Sequence, residues 1–372
     1  MPVLHRNQRF PRRVYGLVIV LLLAGLSFQT ARGEELEFDP TVCAPYNDGG
    51  ELGEECLEMI EAFPRPPVEQ IPQDGFTLSY YSFWRVGPDP VPTFDAPNGN
   101  VNGEIPHGFN FVRAIDLSVD GWLQIEGGQW LRRQDATYTE ASYFSGVEIS
   151  NDLEYPFAWV LDLSQIYVSE YPGGPWEQNT GRWLERYELV NLFAEAIDEE
   201  GWRWYMIGPN HWVEQRFVAK AQRIERPEGV SGRWVAVDLY EQTLVAYEDD
   251  TPVFATLVSS GLEDWSTNEG LFTVWARLPR DRMAGATGAP DAYALQSVPW
   301  VMYFDGSYSL HGTYWHDLFG YRQSHGCVNL SISDAKYIFE WFNGAEPDED
   351  GEITNYVYVW SSGEYGVTAT GI

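Results

Sequence analysis

The sequence predicts a mainly β chain of several domains, with two small β-barrels ahead of a larger β-rich domain that carries one helix. Three observations support this. At 372 residues the chain is longer than one ordinary domain, for which about 150 residues is a common size. Between residues 75 and 228, aromatic and β-branched runs are short and broken by Gly, Pro, Asn and Asp, the pattern of short strands joined by turns. Further on, "SISDAKYIFEWFNG" changes period: Ala335, Ile338, Phe339 and Phe342 fall on one helical face, Ser331 and Asp334 have capping-box spacing, and Gly344 suits the stop.

Taken in order, residues 1–33 read as a secretory signal. Arg6, Arg9, Arg12 and Arg13 precede an apolar run from Val14 to Leu26, and the small residues Ala31 and Gly33 follow. The run is shorter than the ~20 residues a helix needs to cross a bilayer, so cleavage near Gly33 is expected, with membrane attachment only if the signal stays uncut. The chain is then extracytoplasmic, in the cell envelope or secreted. Its formal charge is −32. Nucleic acid is excluded as a partner, because phosphate binding needs clustered positive charge and lysine occurs only at Lys220 and Lys336. Acidity of this kind serves solubility or a salty habitat.

Residues 34–74 form a disulfide-bearing segment and a linker. Cys43 and Cys56 bracket a polar, glycine-containing loop, and in an oxidising compartment they are expected to pair, worth about 3 kcal/mol by loop closure. "EAFPRPPVEQIPQD", Glu61 to Asp74, is proline-rich and polar. Pairing of the first two cysteines leaves Cys327 alone, as an inert buried thiol, an intermolecular bridge or a reactive group.

Residues 75–145 and 146–228 are read as two copies of one unit. "DGWLQIEGGQWLRR" parallels "EGWRWYMIGPNHWVEQR", aligning Trp122 with Trp202 and Trp130 with Trp212, and "VPTFDAPNG" parallels "IYVSEYPGG" upstream. These stretches resemble bacterial SH3-like modules, in which a strand carries Gly-Trp and a later tryptophan closes a small barrel. That resemblance implies contact with wall polymer or positioning of the next domain, with most of the tryptophans as barrel core.

"RIERPEGVSG" marks a boundary, and a third domain covers 231–361, ahead of a tail at 362–372. Its strands are Trp234 to Asp238, Thr243 to Tyr247, the run "TPVFATLVSSG" and a last one from Thr354 to Trp360. Cys327 lies between the β-region and the helix. A cysteine acts as a nucleophile through its thiolate, and an ordinary thiol is mostly protonated at neutral pH, so it needs a base. His311, His316 and His325 are the nearby histidines. Gly312 after His311 and Gly326 before Cys327 allow a substrate backbone to come close and leave peptide N–H groups for an oxyanion.

"HGTYWHDLFGYRQSHGCVNL" resembles the signature of the L,D-transpeptidase (YkuD-like) catalytic domain, a histidine followed by Ser/Thr-His-Gly-Cys-aliphatic-Asn/Arg. His311, Ser324, His325, Gly326, Cys327, Val328 and Asn329 supply it in order. "STNEGLFTV" is similar to another segment of that family, with Asn268 and Glu269 departing from its usual Thr-Pro turn. The resemblance implies acyl transfer on peptidoglycan stem peptides: Cys327 as nucleophile through a thioester, His311 as proton acceptor and donor with the Gly312 carbonyl orienting its ring, His325 shaping the pocket, and N–H groups around Gly326 and Cys327 serving the oxyanion. Ser324 and Asn329 are assigned to loop support or substrate contact, Tyr303 and Trp315 to the groove. An amine acceptor gives 3→3 crosslinks or attachment of the wall to a protein, and water gives carboxypeptidase activity.

No metal or organic cofactor is expected. The rival chemistries are a zinc site of His311, His316, His325 and Cys327, weakened by the absence of a C-x-x-C pair and of helix-face histidine spacing, and a Ser/His/Asp hydrolase, for which no nucleophile elbow is found. A non-enzymatic envelope protein with a spent catalytic scaffold is the remaining alternative.

Overall fold

The strand Arg233–Asp238 is apolar at nearly every position because both of its faces are covered, the signature of a central strand. Val235 and Val237 face the helix Ile332–Asn343, with Ile338 and Phe342 in one core. Trp234 and Ala236 face the other way, into a second core with Phe157, Trp159 and Ala219. Its neighbours are Thr243–Glu248, antiparallel, and Tyr356–Trp360, parallel. The computed structural model describes residues 38–46, 51–150, 152–161, 166–175, 179–286, 288–289, 291–345 and 353–363. The predicted signal and most of the 362–372 tail lie outside them. Among the described residues, no helix is long and apolar enough to cross a membrane.

The sheet built on Arg233–Asp238 runs in the order Val68–Gln70, Val147–Ile149, Thr251–Leu257, Thr243–Glu248, Arg233–Asp238, Tyr356–Trp360, Gly270–Thr273. Its first two strands come from far upstream. Val68–Gln70 belongs to the Pro-rich stretch read as a linker, and Val147–Ile149 to the start of the second upstream unit. Between them Gly146 approaches the sheet so closely that a Cβ would sit 2.4 Å from the Ala255 carbonyl oxygen. The Gly146 N–H donates to the buried Asp334 carboxylate at 2.7 Å, and Thr256 Oγ1 donates to the same group at 2.6 Å. Ser331 caps the helix as predicted, accepting from Asp334 N–H at 3.1 Å. Asp334, the other half of the expected capping box, is spent on this tertiary contact.

A second sheet carries the site. The long strand Tyr293–Asp305 pairs with Ala276–Gly285 in a hairpin and with Tyr308–Gly312, which is followed in parallel by Val328–Leu330. Tyr293–Leu295 also pairs in parallel with Phe109–Phe111, so this sheet continues into the strands of the first upstream unit.

The mainly β class with a helix after Cys327 is observed, whereas the two SH3-like barrels are not confirmed: no sheet closes on itself among the described residues. The first unit merges its sheet with that of the third domain. The second divides into an open sheet ordered Asn179–Leu184, Ile166–Ser169, His211–Glu214, Arg203–Gly208, Ala194–Ile197 and a smaller one around Phe157–Val160. The aligned tryptophans explain the difference. Trp212 packs with Trp204, Met206 and Phe193 against Cys43, Cys56 and Met59, docking the N-terminal segment, while Trp202 is 44% exposed and closes nothing. Wall contact inferred from the barrels loses its basis. Cys43 and Cys56 are joined by a disulfide and fully buried.

Candidate active site

His311 and Cys327 are brought together by two short parallel strands. The ladder sets His311 opposite Asn329 and Leu310 opposite Val328. One step further, Cys327 comes level with Ser309, which shares a face with His311 because alternate residues on a strand point the same way. Contacts agree: Ser309 Oγ lies 3.7 Å from Cys327 Sγ, and the Ser307 carbonyl lies 3.9 Å from it. No hydrogen bond joins the thiol to His311 among the described residues. His311 is the diagonal neighbour.

The turn into Cys327 needs a glycine. Gly326 has φ +110, and a Cβ there would lie 2.4 Å from Tyr308 Cε1. Ser324 ties the turn, accepting from Gly326 N–H at 3.1 Å and donating to the Cys327 carbonyl. Thr267 Oγ1 donates to the Gly326 carbonyl at 2.9 Å and accepts from Gly261 N–H at 3.0 Å. Thr267 stands just before the departing residues Asn268 and Glu269, so that segment retains a bond to the loop that carries Cys327.

His311 is buried, and its Nδ1 lies 3.2 Å from the Gly312 carbonyl oxygen. A carbonyl only accepts, so Nδ1 carries the hydrogen and Nε2 the lone pair. Burial pulls the imidazole pKa down to about 4, which keeps the ring neutral and able to take a proton at pH 7. Burial pushes the Cys327 thiol up, only partly opposed by the N–H and hydroxyl of Ser309. Both shifts favour the uncharged forms, thiol and neutral imidazole.

The remaining assignments sort as follows. Gly326 N–H donates to Ser324 Oγ at 3.1 Å, and the Cys327 N–H is the member of that pair not bound to Ser324. Gly312 makes room for the protein itself, since a Cβ would meet Pro299 at 2.9 Å and Ile332 at 3.2 Å. Ser324 supports the loop. The carboxamide of Asn329 is buried 2.9 Å from His316 Nε2, and His316 Nδ1 accepts from Leu318 N–H at 3.1 Å. Both His316 nitrogens thus have a partner, Nε2 the Asn329 carboxamide and Nδ1 the Leu318 N–H, and the zinc set is not assembled. Among the described residues no group of three or more His, Cys, Asp and Glu side chains could hold a metal ion.

His325 is partly exposed, with ring centroids 4.9 Å from Trp265 and 5.3 Å from Tyr293, and Nε2 4.0 Å from Asp291. Tyr303 donates to Asp281 at 2.8 Å and stacks on the exposed Trp275. Trp315 packs on His311, with centroids 5.6 Å apart. Burial, followed by the proximity of Cys327, raises the phenol pKa of Tyr293; for Tyr303, burial and Asp281 come first and Cys327 adds to them. Ser309, Thr267, Tyr293 and Trp265 were not picked out from sequence. Only Ser309 left a usable signal, its position two residues before His311.

These residues fall within a region that resembles a known domain. Residues 232–353 match YkuD, the L,D-transpeptidase catalytic domain. The rest of the chain lies outside that match. Among solved structures, an L,D-transpeptidase from Stackebrandtia nassauensis is 26% identical over 37% of this chain and 60% of its own, with TM-score 0.28. A mutant L,D-transpeptidase from Enterococcus faecium is 26% identical over 35% of this chain and 50% of its own, with TM-score 0.30. An L,D-transpeptidase from Mycobacterium smegmatis is 19% identical over 44% and 79%, with TM-score 0.31. The chain thus spans 60% and 50% of the first two. Among curated proteins, none matches it.

Proposed function

We propose that the protein is an extracytoplasmic L,D-transpeptidase acting on peptidoglycan stem peptides. The observation that carries the reading is His311, neutral and oriented by the Gly312 carbonyl, one strand away from Cys327 in the region that matches the catalytic domain. His311 Nε2 takes the thiol proton as Sγ attacks the carbonyl between an L-centre and a terminal D-residue. The oxyanion is stabilised by the Cys327 N–H. Collapse breaks the C–N bond, His311 protonates the departing amine, and a thioester remains. An acceptor amine then attacks the thioester, passes its proton to His311 and releases the sulfur, which regains the proton. A diamino-acid side chain as acceptor forms a 3→3 crosslink, an amine on a protein attaches that protein to the wall, and water hydrolyses the thioester.

Muropeptide mass spectrometry after incubation with the purified protein distinguishes these outcomes. Crosslinked dimers with loss of the terminal D-residue are expected, together with a covalent carbapenem adduct on the intact protein that Cys327→Ala abolishes. Adducts of equal yield on Cys327→Ala would overturn the assignment.

A further inference from the structure

A cavity of about 530 Å³ is walled by Arg282, Gly285 and Tyr293 of the hairpin and by Pro106, His107 and Asn110 of the first upstream unit. Tyr293 connects it to the reaction, since its ring stands against His325. The upstream wall is firmly attached. Phe109 N–H donates to the Ala292 carbonyl at 2.8 Å, and the chain comes so close there that a Cβ on Gly108 would sit 2.4 Å from the same oxygen. Asn110 is buried and donates to the Pro106 carbonyl at 2.7 Å, which holds the turn bearing His107.

The strand Ala276–Gly285 carries three arginines. Arg277 donates to the Phe339 carbonyl and Arg280 to the Tyr81 hydroxyl, so two serve the fold. The guanidinium of Arg282 has no ion pair or hydrogen bond among the described residues, and it lines the cavity. It lies at a register shift in the hairpin, between Asp281 and Met283, where a bulge re-aims side chains. In a chain of formal charge −32, an uncommitted guanidinium at the mouth of a cavity is the local attractor for an anion, and its planar fork fits a carboxylate.

We propose that this cavity is a subsite for a carboxylate-bearing residue of the donor peptide, with Arg282 reading the carboxylate and the Pro106–Asn110 turn forming the far wall. The proposal rests on the transpeptidase reading above and makes the upstream unit part of the substrate site. The test is calorimetric titration of the full chain carrying Cys327→Ala with L-alanyl-D-isoglutamyl-meso-diaminopimelyl-D-alanine and with its counterpart amidated at the side carboxyls. The acid form should bind about tenfold more tightly than the amidated form, the worth of one charge-assisted contact. Adding Arg282→Gln should erase that preference, and Arg282→Lys should keep part of it. A preference unchanged by Arg282→Gln refutes the subsite and leaves the transpeptidase reading standing. Failure of both peptides to bind refutes the two together.

Discussion

Replacing Gly326 by alanine tests whether the loop geometry, rather than the mere presence of the histidine and the cysteine, sets the activity. The position has φ +110, and the new Cβ would lie 2.4, 2.5 and 2.9 Å from Cε1, Cζ and Oη of Tyr308. Holding a residue with a side chain in that region costs about 1–3 kcal/mol, and overpacking against the ring costs about 1–3 kcal/mol more. The loop can relieve both by moving, but Cys327 is the next residue and would move with it. Borne by the transition state, a total of about 2–6 kcal/mol slows acylation by roughly 30-fold to 10⁴-fold. Tyr308→Ala removes only the steric part, so the double variant should recover some of the loss and keep the backbone part. Acylation of each variant by a carbapenem, followed by intact-protein mass spectrometry and set beside thermal unfolding, makes a double-mutant cycle. Wild-type acylation by Gly326→Ala, or losses in the two variants that simply add, would refute the geometry.

Three further outcomes are expected. Ser309→Ala removes a hydroxyl 3.7 Å from the sulfur, so the pH midpoint of iodoacetamide labelling should move up, and an unchanged midpoint would exclude Ser309 from the thiol's environment. For His311, whose folded pKa of about 4 lies below the ordinary 6.5, the unfolded chain binds its proton first as pH falls; the stability it contributes is present above about 6.5 and lost toward pH 4, a term on the order of 3 kcal/mol. Asp334 and Glu241, raised to about 7 by burial, act in the opposite direction, so the readout is the difference between wild type and His311→Gln in urea unfolding at pH 7 and pH 5, and no difference would contradict a buried neutral ring. A fragment beginning at Gly232 should fail to fold, because it uncovers Trp234, Val245, Tyr247 and Leu257 at about 1.5–3 kcal/mol each, comparable to the 5–15 kcal/mol stability of a whole domain; a cooperative thermal transition in that fragment would show that the upstream residues are dispensable.

Much of the site was legible because its parts are local. Ser324, Gly326 and Cys327 form a turn whose bonds span three residues, and Ser331 caps the helix that follows within its own first turn. The pairing of Cys43 with Cys56 closes a short loop, which composition and compartment were enough to suggest. The expected barrels were not legible in the same way. Two hairpins carrying tryptophans are compatible with closure or with an open sheet, and the choice rests on what the tryptophans meet. Trp212 meets the disulfide segment some 150 positions upstream, a contact without a local trace.

Residue order placed a thiol directly after a glycine and a histidine near the end of a strand, residue types that can supply a nucleophile and a base where that strand pair forms. Tertiary structure decided the state in which they wait. Desolvation by surrounding chain pushes the thiol pKa up and the imidazole pKa down, and desolvation depends on what is packed nearby in space. It also decided that strands from residues 68–70 and 147–149 complete the central sheet and that Asp334 binds Gly146 instead of closing a capping box. Edge strands and buried carboxylates are satisfied by whichever partner the fold delivers, and the distance along the chain to that partner leaves no periodicity to read.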